Sequence, residues 1–205
     1  MPVFILIAMK SLIENIQSCN TCEPQLPHGV RPVVQLTSSA QLLIIGQAPG
    51  RKVHESGIPW NDASGQRLRE WLQIEPDTFY DPSKVAIMPM GFCYPGKGKS
   101  GDLPPRKECA PTWHPQIFQY LTNIQVTLLI GQYAQNHYLS ETNYIKQFPN
   151  LTERVKHTQQ LNNNLICLPH PSPRNQIWLK KNPWFQENIL PYLRQKIRLL
   201  KLDQC

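Results

Sequence analysis

Two short segments carry the residue types from which a reaction site can be built. Gly46-Gln47-Ala48-Pro49-Gly50 and His170-Pro171-Ser172-Pro173-Arg174-Asn175 each follow a run of buried-type residues, Leu42–Ile45 and Leu165–Leu168. An imidazole donor such as His170 gains strength in a water-excluded pocket. At a strand end the same ring can instead act only as a cap. The first segment offers backbone and one neutral amide, Gln47. An apolar run that breaks into a Gly/Pro-rich turn reads as a parallel strand delivering a loop to the carboxyl edge of a sheet, where open α/β folds hold ligands. Two such loops, from opposite ends of the chain, predict one shared cleft.

Six cysteines form a second chemical resource. Cys19 and Cys22 are separated by two residues, Cys93 and Cys109 by fifteen. In an intracellular chain cysteines point to metal or thiol chemistry before disulfides. Cys167 sits in an apolar run and reads as core, Cys205 as a terminal spare. The Gly/Pro/Lys-rich loop 94–106 contains Lys97-Gly98-Lys99-Ser100-Gly101, which offers cations to phosphates or is simply a solvated surface loop. It lacks the first glycine and the spacing of a Walker loop, which argues against nucleoside triphosphate hydrolysis.

The elements that must position these residues follow from periodicity. Apolar runs at 42–45, 85–88, 126–130 and 165–168 predict four strands. Between the first two, Leu68, Trp71 and Leu72 fall at helical spacing, with Asp62 or Ser64 as the cap. Helices are expected at 115–121 and 132–144, and a long amphipathic one at 183–200. Strand–helix alternation with such connections demands right-handed crossovers and a parallel sheet covered on both faces. A chain of 205 residues buries a core without staples, and its 40% apolar content makes the 20 prolines loop-formers rather than signs of disorder. The net charge of +7 suits polyanionic partners as well as it suits a merely basic enzyme. The run Val3-Phe4-Ile5-Leu6-Ile7 is too short for a membrane span and lacks a basic flank and cleavage site, so a soluble, cytoplasmic chain is expected. Residues 1–18 read as an amino-terminal segment ahead of one domain, 19–205.

Over about 19–194 the chain resembles the uracil-DNA glycosylase superfamily, especially its iron–sulfur branch. Gly46-Gln47-Ala48-Pro49-Gly50 stands where that branch has Gly-Glu-Ala-Pro-Gly. Gly57-Ile58-Pro59-Trp60 follows in place of Gly-x-Pro-Phe, then Ala63-Ser64-Gly65, and His170-Pro171-Ser172 matches the second motif. The resemblance implies a three-layer α/β/α domain with a four-stranded parallel sheet. It also implies a monofunctional DNA glycosylase, working as a monomer, that flips a uracil or another deaminated base and hydrolyses its N-glycosidic bond. The alternative is a nucleic-acid-binding module on the same fold without that chemistry. In the enzymatic reading His170 stabilises the leaving base and Gln47 positions water or base. Trp60 stacks on the base, and Ala48, Pro49, Gly50 and Met90 line its pocket. Ser172, Arg174 and Asn175 lie along the minor groove, and Lys97 and Lys99 hold phosphates. Cys19, Cys22, Cys93 and Cys109 take the places of the branch's four cluster ligands, suiting a four-iron–four-sulfur (4Fe–4S) cluster or, with the same donors, zinc.

The chain departs from that pattern at several positions. Gln47 replaces the branch's glutamate, and Ala48 stands where another branch has its water-activating aspartate. Pro89 stands where the branch reads uracil with an asparagine, which leaves a backbone amide near Met90 or Gly91 to read the base, or implies another base. Arg174 is nearest to the wedge leucine of several branches. Glu55 and Asp62, flanking Trp60, are the carboxylates expected to compensate, with His54 as a second donor.

Overall fold

A computed structural model describes residues 3–161 and 164–202, and the side chains from residue 7 onward. Cys205 lies outside the described residues. In chain order the elements are α1 (Val3–Gln17), β1 (Leu42–Ile45), α2 (Arg51–Ser56), α3 (Ala63–Leu72), α4 (Pro76–Phe79), β2 (Val85–Ile87) and α5 (Cys109–Phe118). They continue with β3 (Val126–Ile130), α6 (Gly131–Leu139), α7 (Asn143–Gln147), α8 (Leu151–Lys156), β4 (Leu165–Leu168), α9 (Gln176–Lys181) and α10 (Leu190–Leu199). The four apolar runs are the four strands, all parallel, in the order β2-β1-β3-β4. Every strand residue except Thr127 and Leu165 is buried, as expected of a parallel sheet covered on both faces.

The path β1→β2 runs one way across the sheet, and β2→β3→β4 runs the other. Right-handed crossovers therefore put the connecting helices on opposite faces. Helix α3 packs on α10 on one side, with Leu68, Trp71 and Leu72 buried on the first and Leu193 and Ile197 on the second. On the other side α5 packs on α1, which adds Met9, Leu12 and Ile16 to the main core. The reversal falls between β1 and β3, and the carboxyl edge there is where such sheets open a crevice.

The chain itself meets outward backbone groups on both sheet margins. On β2, Gln35 exchanges backbone bonds with Ile87 in both directions (3.0 and 2.7 Å), and its side-chain amide donates to Val85 O at 2.7 Å. On β4 the Cys167 amide donates to the Thr158 hydroxyl at 2.7 Å.

Three predicted helices differ in extent. Residues 132–144 form two helices, because the Thr142 hydroxyl takes the Ile145 amide and starts α7 afresh. The helix expected at 115–121 begins earlier, at Cys109, and carries Pro115 inside it. The terminal helix opens with a π-helical turn over Phe185–Ile189, next to Pro191, whose missing N–H interrupts the regular ladder. No described helix is long and apolar enough to cross a membrane.

Candidate active site

Above β1 and β4 lies a cavity of about 560 Å³, within the usual range for small-ligand sites. Gln47, Ala48, Pro49 and Gly50 form one wall, Trp60 and Asp62 a second, and His170, Ser172, Arg174 and Asn175 a third. A hairpin, residues 96–103, closes the fourth side with Ser100, Gly101, Asp102 and Leu103. The two loops singled out in the sequence therefore meet in one cleft.

His170 leaves β4 and is braced on three sides. Its Nδ1 accepts the Ser172 amide at 3.2 Å, which places the ring proton on Nε2 as a donor. The Asn175 side-chain amide donates to His170 O at 2.7 Å, and Arg67 donates to Ser172 O at 3.0 Å. Burial pushes the imidazole pKa below its ordinary value, while Asp62 and Asp102 pull the other way. The ring is consequently a neutral donor at neutral pH.

The Trp60 ring stands 5.6 Å from that of His170, tilted by 36°. Its backbone is left-handed (φ 56°). Two glycines make room for it: a β-carbon on Gly65 would come within 1.7 Å of Trp60 O, and one on Gly46 within 2.8 Å of the indole ring. Asp62 holds the loop end by accepting the Gly65 amide at 2.8 Å as the α3 cap.

Several expected residues stand elsewhere. Met90 is buried beneath the cleft and does not line it, and its amide is spent on Gly46 O at 2.9 Å. The Gly91 amide is spent likewise on Gln47 O at 3.0 Å, so neither backbone group is free to read a base. Pro89 does line the cavity, and its carbonyl takes His114 Nε2 at 3.1 Å. Glu55 points to solvent in an ion pair with Arg51 at 2.8 Å. His54 turns to His28 O at 3.1 Å and lies beside Tyr94, away from the cleft. Lys97 and Lys99 are exposed on the hairpin. Arg174 is also exposed, and its Nη1 donates to Ser100 O at 3.3 Å, joining the His-Pro-Ser loop to the hairpin.

Asp102 is the cleft residue that sequence reasoning missed. The hint was the Gly96 and Gly101 pair, both with positive φ (98° and 155°), which folds the Lys-rich loop back so that the next residue enters the cleft.

Cys19, Cys22, Cys93 and Cys109 line one small cavity with Leu26, Val30, Phe92 and Trp113, where Ile16 of α1 meets the start of α5. Burial raises the Cys22 and Cys93 thiols and pushes Cys109 up to about 12, with the neighbouring sulfurs adding to the shift at Cys93 and Cys109. Arg106 sits at the cavity wall and pairs with Glu108 at 2.7 Å. Among the described residues no three His, Cys, Asp or Glu side chains converge on a single ion-sized point. Cys167 is buried strand core, as read. A family model, that of the uracil DNA glycosylase superfamily, matches residues 34–194.

Proposed function

The chain belongs to the uracil DNA glycosylase superfamily, and from that membership we propose that it hydrolyses the N-glycosidic bond of uracil or another deaminated base in DNA, in the manner of the iron–sulfur branch. The observation that carries this reading is the neutral His170 donor standing beside the Trp60 ring in the lining of a cavity of about 560 Å³. A base flipped into the cleft stacks on Trp60, and His170 Nε2–H donates to the carbonyl oxygen on which charge collects as the bond breaks. Lys97 and Lys99, exposed on the hairpin, are the cations offered to backbone phosphates in this reading. With the Met90 and Gly91 amides already bonded, the base edge is read by groups on the walls.

The four-thiol cavity fits a 4Fe–4S cluster in donor type and number, and at Cys22 a hydrogen bond from Arg106 favours the thiolate while the Glu108 carboxylate opposes it. Bound there, the cluster would supply structural clamping and no step of the hydrolysis. The residues holding it would be Cys19, Cys22, Cys93 and Cys109, tying the stretch after α1 to α5. Zinc takes the same donor types but needs them on one point, on which no three described His, Cys, Asp or Glu side chains converge.

The test is release of base from oligonucleotides carrying single uracil, hypoxanthine or xanthine, with alkali revealing abasic sites. Release should fall by about 100-fold or more in His170→Ala, the scale of losing a charge-stabilising donor. Salt-dependent binding with no release from any substrate would leave only a binding module on this fold.

A further inference from the structure

Breaking a glycosidic bond leaves positive charge on the sugar and requires a water to lose a proton, two demands that a carboxylate meets. The 46–50 turn has none; its single polar side chain is the Gln47 amide. Two carboxylates nevertheless face that turn from other elements. A β-carbon built on Gly50 would stand 3.6 Å from Asp102 Oδ2 and 3.9 Å from Asp62 Oδ2.

The two are differently employed. Asp62 Oδ1 is occupied as the cap of α3. Asp102 rides on the hairpin, whose turn is closed by Gly98 N–H to Gly101 O (2.6 Å) and Leu103 N–H to Gly96 O (2.9 Å). Each motif then contributes one latch to that hairpin. Gln47 Nε2 donates to Leu103 O at 3.5 Å, and Arg174 Nη1 donates to Ser100 O at 3.3 Å. The Tyr94 hydroxyl reaches Asp102 Oδ1 at 3.5 Å, leaving Oδ2 toward Gly50. The neutral amide that replaces a carboxylate in the first motif is thus bonded to the residue beside Asp102.

We propose that Asp102 is the carboxylate that activates the hydrolytic water, and that Gln47 and Arg174 are positioning residues holding its hairpin over the cleft. This rests on the glycosylase reading above. The water oxygen bonds to C1′ as the C1′–N bond breaks, and the bonding pair leaves with the base, whose anion takes the hydrogen bond from His170 Nε2–H. The water proton passes to Asp102 Oδ2 and from there to solvent, to which the hairpin is open.

The experiment is single-turnover base release against pH by the full chain, on whichever oligonucleotide the wild type cleaves. Asp102→Asn, Asp62→Asn, Gln47→Ala and Arg174→Ala are compared, with melting curves to confirm folding. Asp102→Asn should slow release by about 100-fold or more, flatten the acid limb of the profile, and leave oligonucleotide affinity within about threefold of wild type. Asp102→Glu should recover part of the rate and the limb. The two positioning variants should lose about tenfold while keeping the limb. Wild-type release undiminished in Asp102→Asn, or a limb lost in Asp62→Asn instead, would overturn the assignment of Asp102 and leave the glycosylase reading standing. A wild type that releases no base overturns both.

Discussion

Trp60 is held in a left-handed backbone that bulky residues rarely adopt, and its neighbours leave it no alternative. The obstacle to a side chain at Gly65 is the Trp60 carbonyl itself, which no rotamer change can move. Gly65→Ala should therefore cost at least about 2 kcal/mol in urea unfolding, the scale of an overpacked core, and should change tryptophan fluorescence in the folded state. Gly46→Ala meets only the ring edge and should cost less, while still shifting the indole against His170. The sequence placed Trp60 near the cleft through Gly57-Ile58-Pro59, and His170 through its strand. The left-handed turn was not legible, because it arises from a contact between residues 60 and 65 rather than from local preference. The spending of the Met90 and Gly91 amides was hidden for the same reason, their acceptors lying more than forty residues away.

Among elements, those with strong periodicity and a local stop were readable. All four strands fell within one residue of their runs, since a parallel strand buried on both faces is nearly pure apolar sequence. The start of α3 was readable from its capping residue. Asp62→Ala should cost about 1 kcal/mol of unfolding free energy, whereas Asp62→Asn, an equally good cap, should cost only a few tenths; urea titration separates the two. The hairpin was the element least legible. Its glycines announced a turn, but which residue it delivers to the cleft depends on bonds to Gln47 and Arg174, supplied by β1 and β4 from far along the chain.

For the molecule as a whole, acid is the natural stress. His114 is buried between α5 and α6, its Nε2–H given to Pro89 O and its Nδ1 taking the Tyr138 hydroxyl. Burial, the largest influence, pushes its pKa from 6.5 down to about 4. The unfolded chain takes up this proton near 6.5 and the folded chain only near 4, so between those values unfolding binds a proton and falling pH favours it. Lowering the pH from 7 to 5 should remove roughly 2 kcal/mol through His114 alone, with His170 acting in the same direction. Urea denaturation at the two pH values tests this, and His114→Gln should flatten the difference. The cysteine cavity adds a second whole-molecule prediction. Protein purified without oxygen should carry iron and acid-labile sulfide in equal amounts and absorb broadly in the visible, and Cys22→Ser should lower both the metal content and the melting temperature. Colourless protein with stoichiometric zinc would reassign the cavity.

The bonded β2 margin has a consequence for how the protein behaves in a crowd. A parallel strand at a sheet border ordinarily offers a row of unmet backbone groups on which another chain can template itself. Here the outward groups of Val85 and Ile87 are consumed by Gln35 together with Asp81, and the Cys167 amide by Thr158. On the β2 side the sheet is thereby closed by its own chain, and recruitment of a further strand there would first require peeling away the segment around Gln35.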